Sequence, residues 1–176
     1  PEVGSSNLPH ATKKERKISP FLSFVSFMDY VFLNDKIIRV DDLKLSLNNR
    51  GFFFGDGFFE TIKIVNGKIF NYNNHYNRIV ETLALLDINF LIKKRYLEDQ
   101  LNTLILRNHI KRGGRLKIVI FRNSSGRYLP HDDFSNIIIT AESSLKNIFQ
   151  LNKSGLILDW YQEISKARNK LSNFKT

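Results

Sequence analysis

The feature that most constrains the fold is a change of hydrophobic period on either side of the dipeptide Asn66-Gly67. The segment Phe58–Val65 is predicted to be a strand, and Asn-Gly is a strongly favoured two-residue turn between antiparallel strands. From Asn73 onward the apolar residues recur with a helical period instead. This part of the chain is therefore expected to form a hairpin that leads directly into a helix.

The rest of the chain extends this order into hairpins, then helices, then further strands. Tyr30–Asn34 and Ile37–Val40 flank Asp35-Lys36 as another hairpin. Residues 48–57, in which three glycines stand beside consecutive aromatic residues, predict an ordered loop. The other expected elements are a return strand at Lys68–Tyr72, helices at Asn73–Leu86 and Lys94–His109, and strands at Arg115–Arg122, Ile137–Thr140 and Gly155–Tyr161. The order predicts an α+β fold, a mainly antiparallel sheet with two helices on one face.

Composition excludes several classes of protein. The chain has 176 residues, of which 42% are hydrophobic and 25% charged, and this is the profile of a globular domain. No apolar run approaches the roughly 20 residues that a membrane span needs. The sequence has no cysteine, which excludes a disulfide framework, a thiolate metal site and a cysteine nucleophile. The four histidines lack the spacing of metal ligands, so no metal site is expected.

The net charge of +10 leaves two interpretations open. It fits a lysine-rich surface, and it also fits attraction to an anionic partner such as nucleic acid. A basic nucleic-acid-binding module is therefore one functional alternative. The aromatic residues lie in apolar strand contexts instead of alternating with basic residues, which weighs against it.

Several short motifs occur in a particular order along the chain. They are Asn49-Arg50-Gly51, Gly55-Asp56-Gly57, Phe59-Glu60, Asn66-Gly67-Lys68 and His75-Tyr76-Asn77-Arg78-Ile79, followed by RLKIVIFRNSSGRYLP and finally SNFKT. Together they resemble the class IV aminotransferases, the fold type IV pyridoxal-phosphate enzymes. That family includes branched-chain and D-amino-acid aminotransferases and 4-amino-4-deoxychorismate lyases. The resemblance spans about residues 30–176.

The resemblance implies pyridoxal 5'-phosphate as the cofactor and names the residues that would hold it. Lys175 falls on the lysine that forms an aldimine with the cofactor and moves the substrate proton. Arg78 falls on the arginine that binds the cofactor phosphate, a task for which a planar guanidinium is suited. His75, one turn earlier, is expected either to support Arg78 or to pack in the core. Glu60 is expected to be structural.

The same resemblance implies three substrate-binding positions. Arg127 matches the place where some members bind the substrate carboxylate, and Arg122 is the neighbouring candidate. Phe59 stands where some relatives carry a tyrosine, so that a hydroxyl contact is replaced by an apolar ring.

The expected organisation is that of an N-terminal portion of a longer enzyme. Residues 1–27 are interpreted as an extraneous or disordered extension, with Met28 as the natural start. Residues 28–161 would form the α+β N-terminal domain. Residues 162–176 would form the interdomain linker and the start of a truncated C-terminal cofactor domain, the rest of which is missing. The 176-residue chain is accordingly expected to be inactive by itself.

The expected function is that of a class IV aminotransferase or a 4-amino-4-deoxychorismate lyase that depends on pyridoxal phosphate. The substrate would be an amino acid or a keto acid, and the enzyme a cytoplasmic homodimer that binds neither membrane nor nucleic acid. Two alternatives stay open, the nucleic-acid-binding module and a non-catalytic remnant that keeps only a dimer surface.

Overall fold

A computed structural model describes residues 28–46, 49–89, 92–124, 126–149, 151, 153–159 and 169–175 of the chain. The predicted extension, residues 1–27, lies outside the described residues. The strands are β1 (Tyr30–Leu33), β2 (Lys36–Arg39), β3 (Gly57–Val65), β4 (Lys68–Ile69), β5 (Gly113–Arg122) and β6 (Ser135–Ser144). The helices are α1 (Arg50–Phe54), α2 (Tyr72–Leu86) and α3 (Lys94–Arg107), with 3-10 turns at Val40–Asp42 and Lys170–Asn173.

The strands form one sheet in the order β2-β1-β6-β5-β3-β4, and every pair of neighbours is antiparallel. The longest pairings join β5 to β6 and β5 to β3, where the register runs from Gly57 opposite Phe121 to Ile64 opposite Gly114. The first hairpin joins the sheet through β1, whose Phe32 lies opposite Ile139 of β6. The predicted α+β fold with a mainly antiparallel sheet is confirmed.

The core lies between one face of the sheet and the two long helices. Strand residues alternate between this face and the opposite face, so that every second side chain of β3, β5 and β6 is buried. The helices present their apolar stripes to these side chains. The fully buried members include Phe32, Ile62, Ile64, Leu116, Ile118, Ile120 and Ile139 of the sheet and Ile79, Leu97, Leu101, Leu104 and Ile105 of the helices. None of the described helices has the length and apolar character that would let it cross a membrane.

The N-terminal part of β3 lies at an edge of the sheet, and the segment around Lys175, distant in sequence, covers this edge. β4 pairs only with Ile64 and Val65, at the other end of β3. The backbone N–H of Phe59 donates a hydrogen bond of 3.1 Å to the carbonyl of Lys175. Lys175 is thereby held against β3, directly after the turn at Lys170–Asn173.

The predicted loop at residues 48–57 is partly helical, and Asn48 lies outside the described residues. The side chain of Asn49 accepts a hydrogen bond of 2.7 Å from the N–H of Phe52, which caps the start of α1. Gly55 ends the helix with φ of 62°, a left-handed conformation that glycine adopts without strain. The loop prediction missed α1 because the N-cap Asn49 and the C-cap Gly55 of this helix stand only six residues apart.

Three other expectations differ from the structure. The first hairpin turns at Asn34-Asp35, one residue earlier than predicted, because Asn34 takes a left-handed conformation with φ of 56°. The return strand ends at Ile69, since Tyr72 already begins α2. The strand predicted at Gly155–Tyr161 is wrong for residues 155–159, which adopt no regular structure, and Trp160 and Tyr161 lie outside the described residues.

The close approach of β3 to β5 at Gly57 yields a test of the sheet register. A Cβ at Gly57 would lie 2.5 Å from the carbonyl oxygen of Ile120 and 2.8 Å from the Cα of Phe121. Gly57→Ala is therefore expected to lower the free energy of unfolding by about 3 kcal/mol, since the clash is with paired backbone. Gly55→Ala meets no atom within 4 Å. It should cost only the left-handed strain of about 1 kcal/mol. Urea unfolding measures both, and equal losses would contradict the register.

Candidate active site

An acidic residue occupies an inward-facing position of β3. Glu60 follows Phe58 and precedes Ile62 on the face that packs against the helices, and its side chain is only 3% exposed. A buried carboxylate is tolerated only where charged or hydrogen-bonding partners compensate for the loss of water. Glu60 therefore requires charged or hydrogen-bonding partners from neighbouring elements.

Helix α2 supplies two of these partners from successive turns. Arg78 donates two hydrogen bonds of 2.8 Å to Glu60, one from Nε to Oε2 and one from Nη2 to Oε1. His75 Nδ1 lies 2.9 Å from the same Oε1. The paired contacts of Arg78 fix the orientation of the guanidinium plane as well as its position.

The third partner comes from the far end of the chain. Lys175 Nζ lies 3.7 Å from Oε1 of Glu60 and 5.6 Å from the centre of the Phe59 ring. Its backbone is tied to Phe59, and its side chain is 44% exposed. The edge position of Lys175 thus lets one amine reach the buried carboxylate and still face solvent.

This arrangement determines the ionisation of the cluster. Burial opposes the charged form of Glu60, but hydrogen bonds from Arg78 and His75 and the positive charges of Arg78 and Lys175 outweigh it and lower its pKa to about 2. The hydrogen bonds to Glu60 raise the pKa of Arg78 in return. At neutral pH, Glu60 is a permanent anion that faces fixed cations.

A cavity of about 370 Å³ opens beside Lys175 on the sheet face opposite the helices. Phe59 forms part of its wall, and Lys117 of β5 places Nζ 4.9 Å from the centre of the same ring. The other lining residues are Leu45, Asn49, Gly51, Phe52, Gly55, Gly57, Phe58, Val119, Ile120 and Phe121. The cavity is therefore apolar, with two amines at its rim.

The guanidinium of Arg78 also faces outward. Its side chain is 40% exposed and lines a second, polar cavity of about 440 Å³ with Asn74, Asn77, Glu81 and Phe174. Within the described part of the chain, no recorded hydrogen bond uses Nη1 of Arg78. The arginine therefore keeps donors for a ligand while Glu60 holds its other edge.

Arg122 is buried within a network of internal partners. Its Nε donates to Asp56 at 3.3 Å, and its Nη1 donates to Asp133 at 2.6 Å. It also donates to the carbonyls of Leu86 and Asp87 at the end of α2. These contacts tie β5, α2 and the Gly55-Asp56-Gly57 turn together.

Arg127 lies apart from the Glu60 cluster. The carbonyls of Gly126 and Arg127 accept hydrogen bonds from Arg50, and the exposed Arg127 lines a separate cavity with Arg50, Phe54 and Tyr128. The structure thus brings Arg78, Lys175 and Phe59 together, and it leaves Arg127 outside the lining of the Lys175 cavity. The role predicted for Arg127 stays a prediction.

Two residues of the site had little weight in the sequence. Glu60 was expected to be structural, although an acid in the apolar phase of β3 signals a buried ion cluster. Nothing in the sequence distinguishes Lys117 as a site residue, because an outward-facing lysine is ordinary on a strand. Only the pairing of β5 with β3 brings it to Phe59.

Comparison with known proteins identifies the family. The profile of the amino-transferase class IV family matches residues 57–176, and the chain belongs to this family. It is 33% identical over 106 residues to a D-alanine aminotransferase of Listeria innocua, a match that covers 59% of this chain and 36% of that enzyme. It is 36% identical over 69 residues to a D-alanine aminotransferase of Staphylococcus aureus, covering 38% of this chain and 24% of that enzyme.

Solved structures of other proteins share the fold of this chain. A branched-chain amino acid aminotransferase of Escherichia coli superposes with a TM-score of 0.62 at 18% identity, covering 67% of this chain and 42% of that chain. The enzyme of Thermobaculum terrenum in its PLP form gives 0.60 at 14% identity, covering 67% and 41%. The chain spans about a third or less of the length of the curated relatives that it matches. Enzymes of this family depend on pyridoxal phosphate.

The lowered pKa of Glu60 predicts a specific dependence of stability on pH. Its ionised form contributes stability that is complete above about 4.5 and is lost as the pH falls towards 2. Glu60→Gln should lower the free energy of unfolding by about 2 kcal/mol at pH 7 and by progressively less below pH 4.

Denaturant unfolding at pH 7, 4.5 and 3 measures this difference between the variant and the natural sequence. Glu142→Gln is the matched control, since Glu142 pairs with Arg115 on the exposed surface. Its removal should cost less than about 0.5 kcal/mol at every pH. A Glu60→Gln difference that stays constant from pH 7 to 3 would contradict the ionised cluster.

Proposed function

We propose that this chain supplies part of the pyridoxal-phosphate site of a class IV aminotransferase, with Lys175 as the amine that links to the cofactor and Arg78 as the ligand of its phosphate. The observation that carries the proposal is the assembly of both residues on one buried carboxylate, Glu60, from distant parts of the sequence. An amine and a guanidinium at one site are the two donors that an aldehyde bearing a phosphate requires.

The free donors of the site fit such a cofactor. Arg78 and Lys175 both contact Glu60, and Glu81 is a second acid in the lining of the cavity that Arg78 faces, so the directed hydrogen-bond donors of Arg78 are what would bind a phosphate there. The side chains of Asn74 and Asn77 line the cavity into which Arg78 faces and could add neutral donors. When bound, pyridoxal phosphate supplies a carbonyl that captures the substrate amine and a ring that withdraws electrons from Cα.

The ionisation of the cluster supports Lys175, and not Glu60, as the group that transfers the proton. A carboxylate with a pKa of about 2 is a very weak base at neutral pH, so Glu60 is not the group that removes the substrate proton. It keeps Arg78 in place by two hydrogen bonds and draws Lys175 towards the site. Lys175 Nζ, at the edge of the cavity, is the group that takes and returns the proton of Cα.

The structure supports the three predicted substrate-binding positions, Phe59, Arg122 and Arg127, to different degrees. The ring of Phe59 lies beneath Lys175 and would contact the apolar part of a substrate. The described donors of Arg122 are engaged by Asp56, Asp133 and two carbonyls, which supports a structural role. Arg127, on an exposed loop, lines a separate cavity, and its role as a ligand of the substrate carboxylate stays a prediction without support from the lining of the Lys175 cavity.

The names of the relatives favour transamination of a small amino acid such as D-alanine. The 4-amino-4-deoxychorismate lyase reaction is the alternative, and release of pyruvate without a keto-acid acceptor would identify it. Because the match covers about a third of those enzymes, we expect turnover only in a polypeptide that also supplies the counterpart of their remaining length. Four further expectations are parts of the same proposal: residues 28–161 as the N-terminal domain, residues 162–176 as the interdomain linker and the start of the C-terminal cofactor domain, the homodimer and the cytoplasmic location.

Reductive labelling tests the role of Lys175. The protein purified from its own cells and incubated with pyridoxal phosphate should absorb near the edge of the visible range. Borohydride should remove this band and leave the label on Lys175, as read by peptide mass spectrometry. Residues 1–176 alone should be labelled on many exposed lysines, and stoichiometric labelling of Lys175 in this shorter chain would show that it already forms the complete pocket. Label on a different lysine in the natural protein would refute the assignment.

Substitution of Arg78 tests the phosphate site. Arg78→Lys should weaken cofactor binding at least about tenfold, because a lysine cannot bind Glu60 and a phosphate through one rigid fork. Arg95→Lys is the matched control, an exposed helical arginine that forms an ion pair with Asp99. Equilibrium titration with pyridoxal phosphate measures both variants, and equal affinities would remove Arg78 from the site.

A further inference from the structure

We propose that Lys117 is a carboxylate ligand of the Lys175 cavity, so that this cavity binds small organic acids through Lys117 Nζ. The further step, that this carboxylate is the carboxylate of the substrate, rests on the proposed function. The binding of a carboxylate at Lys117 is independent of the proposed function, because it depends only on residues of this chain.

The pairing of two strands brings Lys117 to the cavity. Lys117 lies opposite Thr61 and Val119 opposite Phe59, so Lys117 and Phe59 are diagonal neighbours on the open face of the sheet. Lys117 Nζ is 4.9 Å and Lys175 Nζ 5.6 Å from the centre of the Phe59 ring. The two amines are therefore no further apart than the sum of these distances, a span that a small ligand can bridge.

The charge of Lys117 is not balanced within the cavity. The lining residues include no aspartate or glutamate, and Asn49 is the only polar side chain among them besides the two lysines. Among the described residues, no carboxylate lies within ion-pair distance of Lys117. Two other open-face cations do have partners: Arg115 pairs with Glu142, and Lys63 donates to the carbonyl of Lys146.

The surroundings of Lys117 specify an anion with an apolar body. A carboxylate beside Lys117 would gain a charge-assisted hydrogen bond and the attraction of Lys175. Its carbon chain would lie on Phe59 and Val119, where contact removes apolar surface from water. Arg127 lines a different cavity, so Lys117 is the cation that lies beside Lys175 at the rim of this one.

Lysine-methyl NMR without cofactor tests the proposal directly. Residues 1–176 are reductively methylated with isotope-labelled formaldehyde, which retains the lysine charge, and titrated with hexanoate or its neutral isostere hexanamide. The methyl resonance of Lys117, assigned with Lys117→Arg, should shift with hexanoate and not with hexanamide. Lys117→Gln should weaken hexanoate binding about fivefold or more, and Lys117→Arg should retain it.

Lys63→Gln is the matched control, because Lys63 also lies on the open face, with Nζ 5.8 Å from the ring of Phe149. It should leave hexanoate binding unchanged. Equal shifts with hexanamide, equal losses in Lys63→Gln, or hexanoate binding that survives Lys117→Gln and disappears in Arg127→Gln would each overturn the proposal. Loss of hexanoate binding in Lys117→Gln with Lys175 labelling intact in the natural protein supports it. Failure of Lys175 labelling with hexanoate binding retained would refute the proposed function alone.

Discussion

The burial of one carboxylate is the constraint on which the arrangement of the site depends. Glu60 stands where β3 would otherwise place an apolar side chain, and an unpaired charge there would cost several kcal/mol. The fold meets this cost with polar partners from two separate segments, the guanidinium of Arg78 and the ring of His75 from α2 and the amine of Lys175 from a segment distant in sequence. The need to pair the buried charge of Glu60 thus brings together the guanidinium of Arg78 and the amine of Lys175, the two groups that a phosphorylated aldehyde would need.

The sheet separates two tasks between its faces. On the helix face, buried hydrogen bonds fix the guanidinium of Arg78 while its outer donors stay accessible. On the opposite face, Phe59 and Lys117 shape a cavity that is apolar and carries no acid in its lining. Lys175 belongs to both, since the edge of β3 lets its amine contact Glu60 and the Phe59 ring together. An amine at a sheet edge can therefore be held from one side and stay accessible to a ligand from the other.

Much of the fold was predictable because its signals are local. The Asn66-Gly67 turn and the periodicity of the two long helices each depend on neighbouring residues, and the structure confirms them. Predictions failed where a single backbone conformation decides the outcome, as at Asn34, or where a cap and a stop enclose one short helix, as at α1. In the site, Arg78 and Lys175 could be named by resemblance, but Lys117 could not, because its neighbour Phe59 is defined only by the register of β3 and β5.

The strand order also bears on how the chain reaches this fold during synthesis. β1 pairs with β6, so the β1–β2 hairpin leaves the ribosome well before residues near Ile139, with which β1 pairs in the finished sheet. Until then the inward-facing Phe32 lacks the strand that covers it in the finished sheet, a condition that favours aggregation and slows folding. β3, β4 and the two long helices contact one another through segments close in sequence and can associate earlier. Among the strands of the described residues, β6 is made last, and it joins the β1–β2 hairpin on one side to β5 on the other.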